Sequence, residues 1–229
     1  MTIQINDLDR REASPVVGRF TVPTTQNTQL YRKAGKRALD VALVLLSAPI
    51  VFPVILVLAA LVALDGHNPF YLQNRVGKDG RIFKIFKLRS MVPNAKASLK
   101  DILAKNSDAR AEWEANQKLR HDPRITRLGR IIRNTSLDEL PQLLNVLKGD
   151  MSLIGPRPMM IEQIPLYPDN HYYAMRPGIS GLWQVTDRNA STFAERATYD
   201  AEYHRRLSLW LDITILARTF GVVMRGTGC

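Results

Sequence analysis

The chain has 229 residues, enough for one medium-sized domain with appended segments, and 45% of them are hydrophobic, enough to build a core. Its net charge of +11 indicates a polyanionic partner: nucleic acid, an anionic membrane surface or a phosphorylated substrate. The single cysteine, Cys229, excludes an intrachain disulfide and is consistent with a reducing compartment.

Composition divides the chain into three regions. Residues 1–30 are rich in Thr, Gln, Asn and Pro without lasting periodicity, so we expect a disordered tail. Residues 31–66 join a basic stretch to an uncharged apolar run, which predicts a membrane segment. Residues 67–229 are then the working domain. A signal peptide is not expected, because the apolar run starts about forty residues into the chain and lacks a small-residue cleavage site.

The apolar run at residues 41–64 is long enough to span a membrane. A straight helix of this length would measure about 36 Å, against a hydrocarbon core of about 30 Å. Pro49 and Pro53 lie near its middle, and each removes a backbone donor and clashes with the preceding turn. The Ser47 hydroxyl can bind a carbonyl freed at such a break. Each half would then measure only about 18 Å, too short to cross alone.

Basic residues flank the run on both sides. They are Arg32, Lys33, Lys36 and Arg37 before it, and Arg75, Lys78, Arg81, Lys84, Lys87 and Arg89 after it. Positive residues beside a membrane segment favour the cytoplasmic side, so two basic flanks favour two cytoplasmic ends. A re-entrant helix-break-helix satisfies this condition. A single proline-kinked span remains the alternative interpretation.

Further segments show regular patterns. Residues 70–91 contain two β-like stretches around an Asp-Gly dipeptide and predict a β-hairpin. Residues 94–119 predict one or two helices. Residues 194–226 predict two more, the second charged enough to suit an interfacial or core position. Trp183, after a Pro-Gly turn, either stacks on a nucleobase or is a buried aromatic side chain.

An adjacent pair of carboxylates, Asp138 and Glu139, begins a predicted helix that a Lys-Gly stop signal ends. One face of this helix consists of Leu137, Leu140, Leu144 and Leu147. One interpretation of the pair is structural. Ser136 and Glu139 have the spacing of a capping box, and acidic side chains in a first turn favour the helix dipole.

The other interpretation of the pair is catalytic. Arginines lie in the same part of the sequence: Arg124, Arg127, Arg130, Arg133 and Arg157. Guanidinium groups around a helix start form a site for phosphate or diphosphate. A carboxylate placed there can bind Mg²⁺ or attack phosphorus to give an acyl phosphate. Prolines on both sides of Arg157 stiffen its backbone, but the residues alone leave both interpretations open.

Four long stretches occur in an order that resembles one family. They are "KRALDVALVLLSAPIVFPVILVLAALVALDG", "QNRVGKDGRIFKIFKLRSM", "DPRITRLGRIIRNTSLDELPQLLNVLKGDMSLIGPRP" and "MRPGISGLWQVTDR". Over about residues 36–224 the chain resembles the bacterial sugar transferases, monotopic polyprenyl-phosphate phosphoglycosyl transferases of polysaccharide assembly. The resemblance implies an α+β, mainly helical, monotopic membrane protein. Its parts are an N-terminal re-entrant helix-break-helix, a small β-hairpin and a cytosolic helical catalytic domain with interfacial C-terminal helices.

The resemblance also implies a reaction. A UDP-sugar, UDP-galactose or UDP-glucose, gives sugar-1-phosphate to undecaprenyl phosphate and releases UMP, the first membrane step of exopolysaccharide or other surface glycan synthesis. The implied partners are these substrates and membrane lipids, with no nucleic acid, and a homodimer is one open oligomeric state. The implied location is the bacterial inner (cytoplasmic) membrane, with the catalytic domain on its cytoplasmic face.

By the same resemblance, Asp138 is the covalent nucleophile and Glu139 assists it, and the two carboxylates bind Mg²⁺. Arg133 and Arg157 hold phosphate. Further candidates for binding phosphate or the nucleotide sugar lie in the matching stretches: Lys87, Arg89, Arg124, Arg176 and Arg188. The helix break matches Pro53 by its distance from Asp40, while the additional proline, Pro49, leaves the position of the bend open.

Two functions of other classes remain as alternatives. A membrane-anchored nucleic-acid-binding protein would also be basic, but its charge would seldom flank an uncharged run, and the sequence shows no recognition motif. A catalytically inactive membrane scaffold would keep the apolar run without needing Asp138, Glu139 and Arg157, all of which this chain retains.

Overall fold

The computed structural model describes residues 27–116, 119–186 and 192–224. Most of the predicted tail and the candidate residue Arg188 lie outside these ranges. Helices dominate the described residues, which also contain two small two-stranded sheets. This confirms the mainly helical α+β class expected from the sequence.

A long helix occupies the N-terminal part of the described chain. It begins as α1 (Asn27–Leu30), passes through a π-helical turn at Tyr31–Gly35 and continues as α2 (Lys36–Ala63). The segment Tyr31–Ala63 is long and apolar enough to cross a membrane, judged by length and composition alone. The predicted membrane segment is therefore one continuous helix.

The two prolines do not divide α2 into separate helices. Pro49 and Pro53 lie inside it, because a proline removes one hydrogen bond while the turns on either side can stay helical. Ser47 Oγ donates to the Val44 carbonyl oxygen at 3.1 Å, and not to a carbonyl that either proline leaves without its N–H donor. The role expected for Ser47 is therefore wrong, although hydroxyl bonding of this kind often bends helices.

The predicted β-hairpin is confirmed. Strand β1 (Phe70–Val76) pairs antiparallel with β2 (Ile82–Leu88), so that Phe70 faces Leu88 and Val76 faces Ile82. Asp79 in the connecting turn has φ of 57° and Gly80 has φ of 74°, both in the left-handed region. Asp-Gly is favoured in hairpin turns because these two residues adopt that region readily.

The region predicted as one or two helices over residues 94–119 forms two. These are α3 (Ala95–Lys105) and α4 (Ser107–Asn116). Helix α5 (Arg127–Asn134) follows, and Thr126 Oγ1 caps its N-terminus by accepting a backbone N–H at 2.9 Å. Capping by a threonine hydroxyl fixes where α5 begins.

The segment predicted as a single helix over residues 137–148 is different in the structure. Leu137–Gln142 forms a 3-10 helix, and the α-helix α6 occupies only Leu143–Lys148. Pro141 accounts for the difference, because it has no N–H to donate and its ring clashes with the carbonyl four residues earlier in an α-helix. The change of helix type turns the segment relative to the predicted leucine face. Leu144 and Leu147 are exposed, whereas Val146 is fully buried.

The structure also contains a second sheet, which the sequence patterns did not predict. Strands β3 (Ser152–Ile154) and β4 (Gly178–Ser180) pair in parallel, and the Gly155 N–H donates to the Ser180 carbonyl oxygen at 2.9 Å. A Cβ added to Gly178 would lie 2.1 Å from the Gly155 nitrogen, so only glycine fits this crossing. The crossing holds the Gly-Pro-Arg-Pro turn against β4.

The last described helices are α7 (Leu182–Val185), α8 (Arg196–Arg206) and α9 (Leu209–Met224). The two helices predicted over residues 194–226 are thus confirmed. Trp183 in α7 is buried, which favours the interpretation of it as a core aromatic. One face of α9 is buried as well, while another carries exposed apolar side chains, as expected of a helix at an interface: Leu209, Trp210, Ile213 and Phe220.

Both ends of α2 pack against the rest of the chain. Near its N-terminal end, Val44 belongs to the same buried cluster as Ile85 of β2. Near its C-terminal end, Ala59 and Val62 cluster with Leu88 of the same strand. The apolar side chains between these ends are largely exposed: Leu45, Leu46, Ile50, Phe52, Val54, Leu56 and Val57. The middle of α2 therefore lies away from the domain that holds its ends.

Candidate active site

The chain reverses sharply just before the acidic pair. Ser136 has φ of 56°, in the left-handed region, and the 3-10 helix follows it directly. The Glu139 N–H donates to the Ser136 backbone carbonyl oxygen at 3.1 Å, and the serine side chain makes no capping hydrogen bond. The capping-box interpretation is therefore wrong, because the backbone conformation of Ser136 is not that of an N-cap.

The 3-10 helix presents its acidic pair to strand β2. Lys87 Nζ lies 2.7 Å from Glu139 Oε1 and 3.9 Å from Asp138 Oδ2. Arg157, from the turn after β3, donates to the same Glu139 oxygen at 3.2 Å. Three separate chain segments thus place two cations around two carboxylates, and both cations, Lys87 and Arg157, are among the candidates for phosphate binding.

The two carboxylates differ in what binds them. Glu139 is held by Lys87 and Arg157, whereas Asp138 accepts no hydrogen bond from the residues described in the structure. Asp138 is 6% exposed, and burial raises the pKa of its carboxyl group. Lys87 opposes this rise, Glu139 adds to it, and Arg133 and Arg157 oppose it more weakly. A carboxylate that accepts no hydrogen bond from the described residues, yet interacts with three cations, suits a nucleophile better than a structural residue.

The other predicted basic residues do not share one environment. Arg133 acts on Asp138 electrostatically, and its Nε atom is buried without an acceptor in the described structure. Arg89 binds Asp65 through two hydrogen bonds of 2.6 and 2.7 Å and donates to the Val62 carbonyl oxygen. Arg89 thus holds the end of α2 and does not contact the acidic pair.

Arg124 and Arg176 also have partners away from the pair. Arg124 is buried in an ion pair with Asp122. Arg176 is exposed and donates from Nε to the Gly149 carbonyl oxygen at 2.8 Å. Of the predicted phosphate-binding residues, the structure therefore brings Lys87, Arg133 and Arg157 to the acidic pair.

A cleft beside Glu139 includes Arg75, whose position in the sequence indicated only a positive charge flanking the membrane segment. Residues from five segments line this cleft, among them Arg75, Lys87, Glu139, Gln142, Arg157 and Gly178. Strand alternation could have revealed Arg75: in the hairpin register it faces Phe83, four residues from Lys87, so both side chains lie on one face of the sheet.

The acidic pair fits the needs of Mg²⁺. This ion is usually held by one or two carboxylates together with substrate phosphates and water. The described residues contain no cluster of three or more metal-binding side chains, so phosphate oxygens would have to complete the coordination. Asp138, which accepts no hydrogen bond from the described residues, is the better placed of the two carboxylates to contribute.

Comparisons with known proteins identify a family for the chain. The family described as "Bacterial sugar transferase" matches residues 31–226. A UDP-galactose-lipid carrier transferase of Erwinia amylovora is 46% identical over 195 residues, covering 84% of this chain and 41% of that protein. The undecaprenyl-phosphate galactose phosphotransferase of Salmonella typhimurium is 47% identical over 195 residues, with the same two coverages of 84% and 41%.

A third relative matches along nearly its whole length. Exopolysaccharide production protein ExoY of Rhizobium meliloti is 39% identical over 215 residues, covering 91% of this chain and 94% of that protein. By contrast, the chain spans about two fifths of the first two relatives, whose coverage is 41%. The family match includes the long helix, the hairpin and the acidic pair. The chain belongs to the bacterial sugar transferase family.

Proposed function

We propose that this protein transfers sugar-1-phosphate from a UDP-sugar to undecaprenyl phosphate, with release of UMP, as the first membrane step of exopolysaccharide or other surface glycan synthesis. The observation that carries the proposal is the buried Asp138–Glu139 pair, surrounded by Lys87, Arg133 and Arg157 in a member of this family. The names of the relatives supply the lipid phosphate acceptor and make galactose the first sugar to test. Glucose, the other hexose that the family resemblance implies, is the second.

The reaction proceeds in two displacements at one phosphorus. A carboxylate oxygen of Asp138 attacks the β-phosphorus of the donor, and the bond from that phosphorus to the bridging oxygen breaks. The bridging oxygen leaves with the electron pair as part of UMP. A phosphate oxygen of undecaprenyl phosphate then attacks the same phosphorus and displaces the Asp138 oxygen, which restores the carboxylate. Two steps let a soluble donor and a lipid acceptor use one site in turn.

The surrounding cations lower the electrostatic barrier to an anion attacking an anion. Lys87 lies 3.9 Å from Asp138, and Arg133 and Arg157 also favour its ionised form. Glu139 holds Lys87 and Arg157 in place through one oxygen atom. Mg²⁺, when bound by the carboxylates and the donor diphosphate, would supply further neutralisation of phosphate charge. Fixed charges of this kind stabilise the transition state without rearranging.

The long helix then serves as a re-entrant membrane anchor. Support for this comes from its two ends, which both pack against β2 while the apolar side chains between them are exposed. Such a middle section needs lipid around it, and basic residues near both ends favour two cytoplasmic flanks. The bend lies at Pro49 or Pro53. An anchor of this form would hold the acidic pair at the cytoplasmic face of the inner membrane, within reach of the lipid phosphate.

Release of UMP tests the proposal. Purified protein is supplied with UDP-galactose or UDP-glucose and Mg²⁺, with and without undecaprenyl phosphate. We expect sustained UMP release only with the lipid acceptor, and a single equivalent or less without it. A scaffold or a nucleic-acid-binding protein would release none under either condition, and that result would refute the proposal.

A further inference from the structure

An arginine cluster lies beside Glu139, and Arg157 is only one of its members. Arg75, on β1, donates to the Pro158 carbonyl oxygen at 3.3 Å and to Gln73 Oε1 at 2.7 Å, so it contacts the residue next to Arg157. Its Nε atom is buried without an acceptor in the described structure. Arg75 and Arg157 both line the cleft beside the acidic pair.

Arg196, the first residue of α8, is the third member, because it lies against Phe193, which shares a buried cluster with Val76 and Met159 beside the two other arginines. Its guanidinium group lies 4.1 Å from the ring centroid of Trp183 and 4.8 Å from that of Phe193. Two aromatic rings therefore fix its position. Within the described residues the guanidinium makes no hydrogen bond, and its Nε atom is buried without an acceptor. Arg196 is held in place with its hydrogen-bonding capacity unused.

The cluster carries more positive charge than its neighbours balance. Burial, with smaller contributions from the charges of Arg157 and Arg75, lowers the pKa of Arg196 to about 9. Burial followed by Arg157 likewise lowers the pKa of Arg75 to about 10. Lys87 and Arg157 share Glu139, and the other nearby carboxylate, Asp200, has a pKa raised to about 7 by burial. Buried like charges of this kind call for an anion.

We propose that Arg75 and Arg196, together with Arg157, bind the phosphate that remains with the nucleoside when the donor is cleaved. The inference rests on the proposed function. The cations acting most strongly on Asp138 are Lys87, Arg133 and Arg157, whereas Arg157 also acts on both other arginines. Arg157 thus interacts electrostatically with the nucleophile and with both other arginines.

This division of the charges suits an in-line displacement. In such a reaction the leaving oxygen departs on the side of phosphorus opposite the nucleophile. Lys87 and Arg133 then serve the phosphate that is transferred, Arg157 lies between the two phosphates, and Arg75 and Arg196 neutralise the phosphate of the leaving UMP. No additional bond is made or broken by the cluster.

Binding of UMP tests the assignment. Calorimetry on the full-length protein in detergent compares wild type, Arg196→Gln and Arg196→Lys, with UMP and uncharged uridine as the two probes. Charge-assisted hydrogen bonds of this type are worth about tenfold or more in affinity, so Arg196→Gln should weaken UMP binding by at least that factor. The affinity for uridine should not change. The UMP affinity of Arg196→Lys should lie between those of wild type and Arg196→Gln. Arg205→Gln, an exposed change on the same helix, is the matched control and should bind UMP as wild type does.

Kinetics separate this assignment from a role in acceptor binding and from a loss of folding. Arg196→Gln should raise the inhibition constant of UMP at least about tenfold while KM for undecaprenyl phosphate stays the same. A rise in the KM for the lipid without a change in UMP inhibition would overturn the assignment. Equal UMP affinity in wild type and both Arg196 variants would overturn it as well, even if wild type fails to transfer sugar phosphate. Failure of wild-type transfer alone would contradict only the proposed function. If Arg196→Gln does not fold, Arg196→Lys decides by the same measurements.

Discussion

Asp138 and Glu139 are adjacent in the sequence, yet the structure gives them different surroundings. Lys87 and Arg157 bind Glu139 at 2.7 and 3.2 Å, while Lys87 approaches Asp138 only to 3.9 Å. The 3-10 geometry and the left-handed Ser136 produce this difference by directing the two side chains to different positions. Glu139 therefore positions the two cations that hold it. Asp138 accepts no hydrogen bond from the described residues, which leaves its carboxylate able to react.

Asp138→Asn should separate stability from activity. Burial raises the pKa of Asp138, so its ionised form is costly in the folded state, and a neutral asparagine of the same size removes that cost. We expect the free energy of unfolding to fall by less than about 1 kcal/mol, or to rise. Turnover should fall by orders of magnitude, because an amide cannot form the acyl phosphate. Thermal unfolding and UMP release measure the two effects, and a destabilised variant with wild-type turnover would contradict the expectation.

Asp200 should make stability depend on pH. Burial raises its pKa to about 7, despite the hydrogen bond from Tyr167, so the folded protein holds this proton where the unfolded chain has lost it. Stability should therefore fall as pH rises from about 4 to about 7, by at most about 4 kcal/mol from this group, and then level off.

Asp200→Asn should remove that part of the pH dependence and unfold at a higher temperature than wild type at pH 8. Its amide oxygen can still accept from Tyr167. Unfolding curves at pH 5 and pH 8 provide the measurement, with Asp101→Asn on the exposed surface of α3 as the control. Parallel pH profiles for wild type and Asp200→Asn would show that Asp200 is not the group responsible.

At the scale of the element, α2 is the part whose shape matters most. Replacing Pro53 with alanine restores a backbone donor and removes a ring from the helix interior, which should straighten the helix. We expect the variant to lose activity and to move its N-terminal flank across the membrane. Pro49→Ala is the matched variant. If Pro53→Ala keeps the wild-type topology and turnover, whereas Pro49→Ala changes the topology and loses turnover, the bend lies at Pro49.

Local signals predicted some elements well. The hairpin was predictable because an Asp-Gly turn and two alternating strands lie within twenty residues of each other. The split at residues 137–148 was missed although its cause, Pro141, is visible in the sequence, because the leucine spacing suggested an unbroken α-helix. Strands β3 and β4 were not predictable, since each has three residues and their pairing joins segments more than twenty residues apart.

In the candidate site, too, some residues could be predicted from the sequence and others could not. The acidic pair and Arg157 carry recognisable motifs, and Lys87 lies on a predictable strand, so these residues could be named from the sequence. The cluster members Arg75 and Arg196 come from β1 and α8, and only the tertiary structure brings them to Arg157. The sequence also does not show that Arg89 pairs with Asp65, or that Arg124 pairs with Asp122.

For the whole molecule, the anchor decides which side of the membrane each segment occupies. Cys229→Ala gives a cysteine-free background for single cysteines at Gln29 and Asn74, one on each side of the apolar segment. Because both flanks are basic, we expect a membrane-impermeant thiol reagent to label neither cysteine in intact cells and both after permeabilisation. Labelling of one cysteine but not the other in intact cells would establish a single span.

The central claim is that Asp138 carries the sugar phosphate covalently between donor and lipid. Wild-type protein incubated with UDP-galactose or UDP-glucose, labelled in the β-phosphate, should retain the label when undecaprenyl phosphate is withheld and lose it when the lipid is added. Glu139→Gln should be labelled more slowly, whereas Asp138→Asn should not be labelled at all. A folded Asp138→Asn protein that still becomes labelled, or still transfers sugar phosphate, would contradict the assignment of Asp138 as the nucleophile.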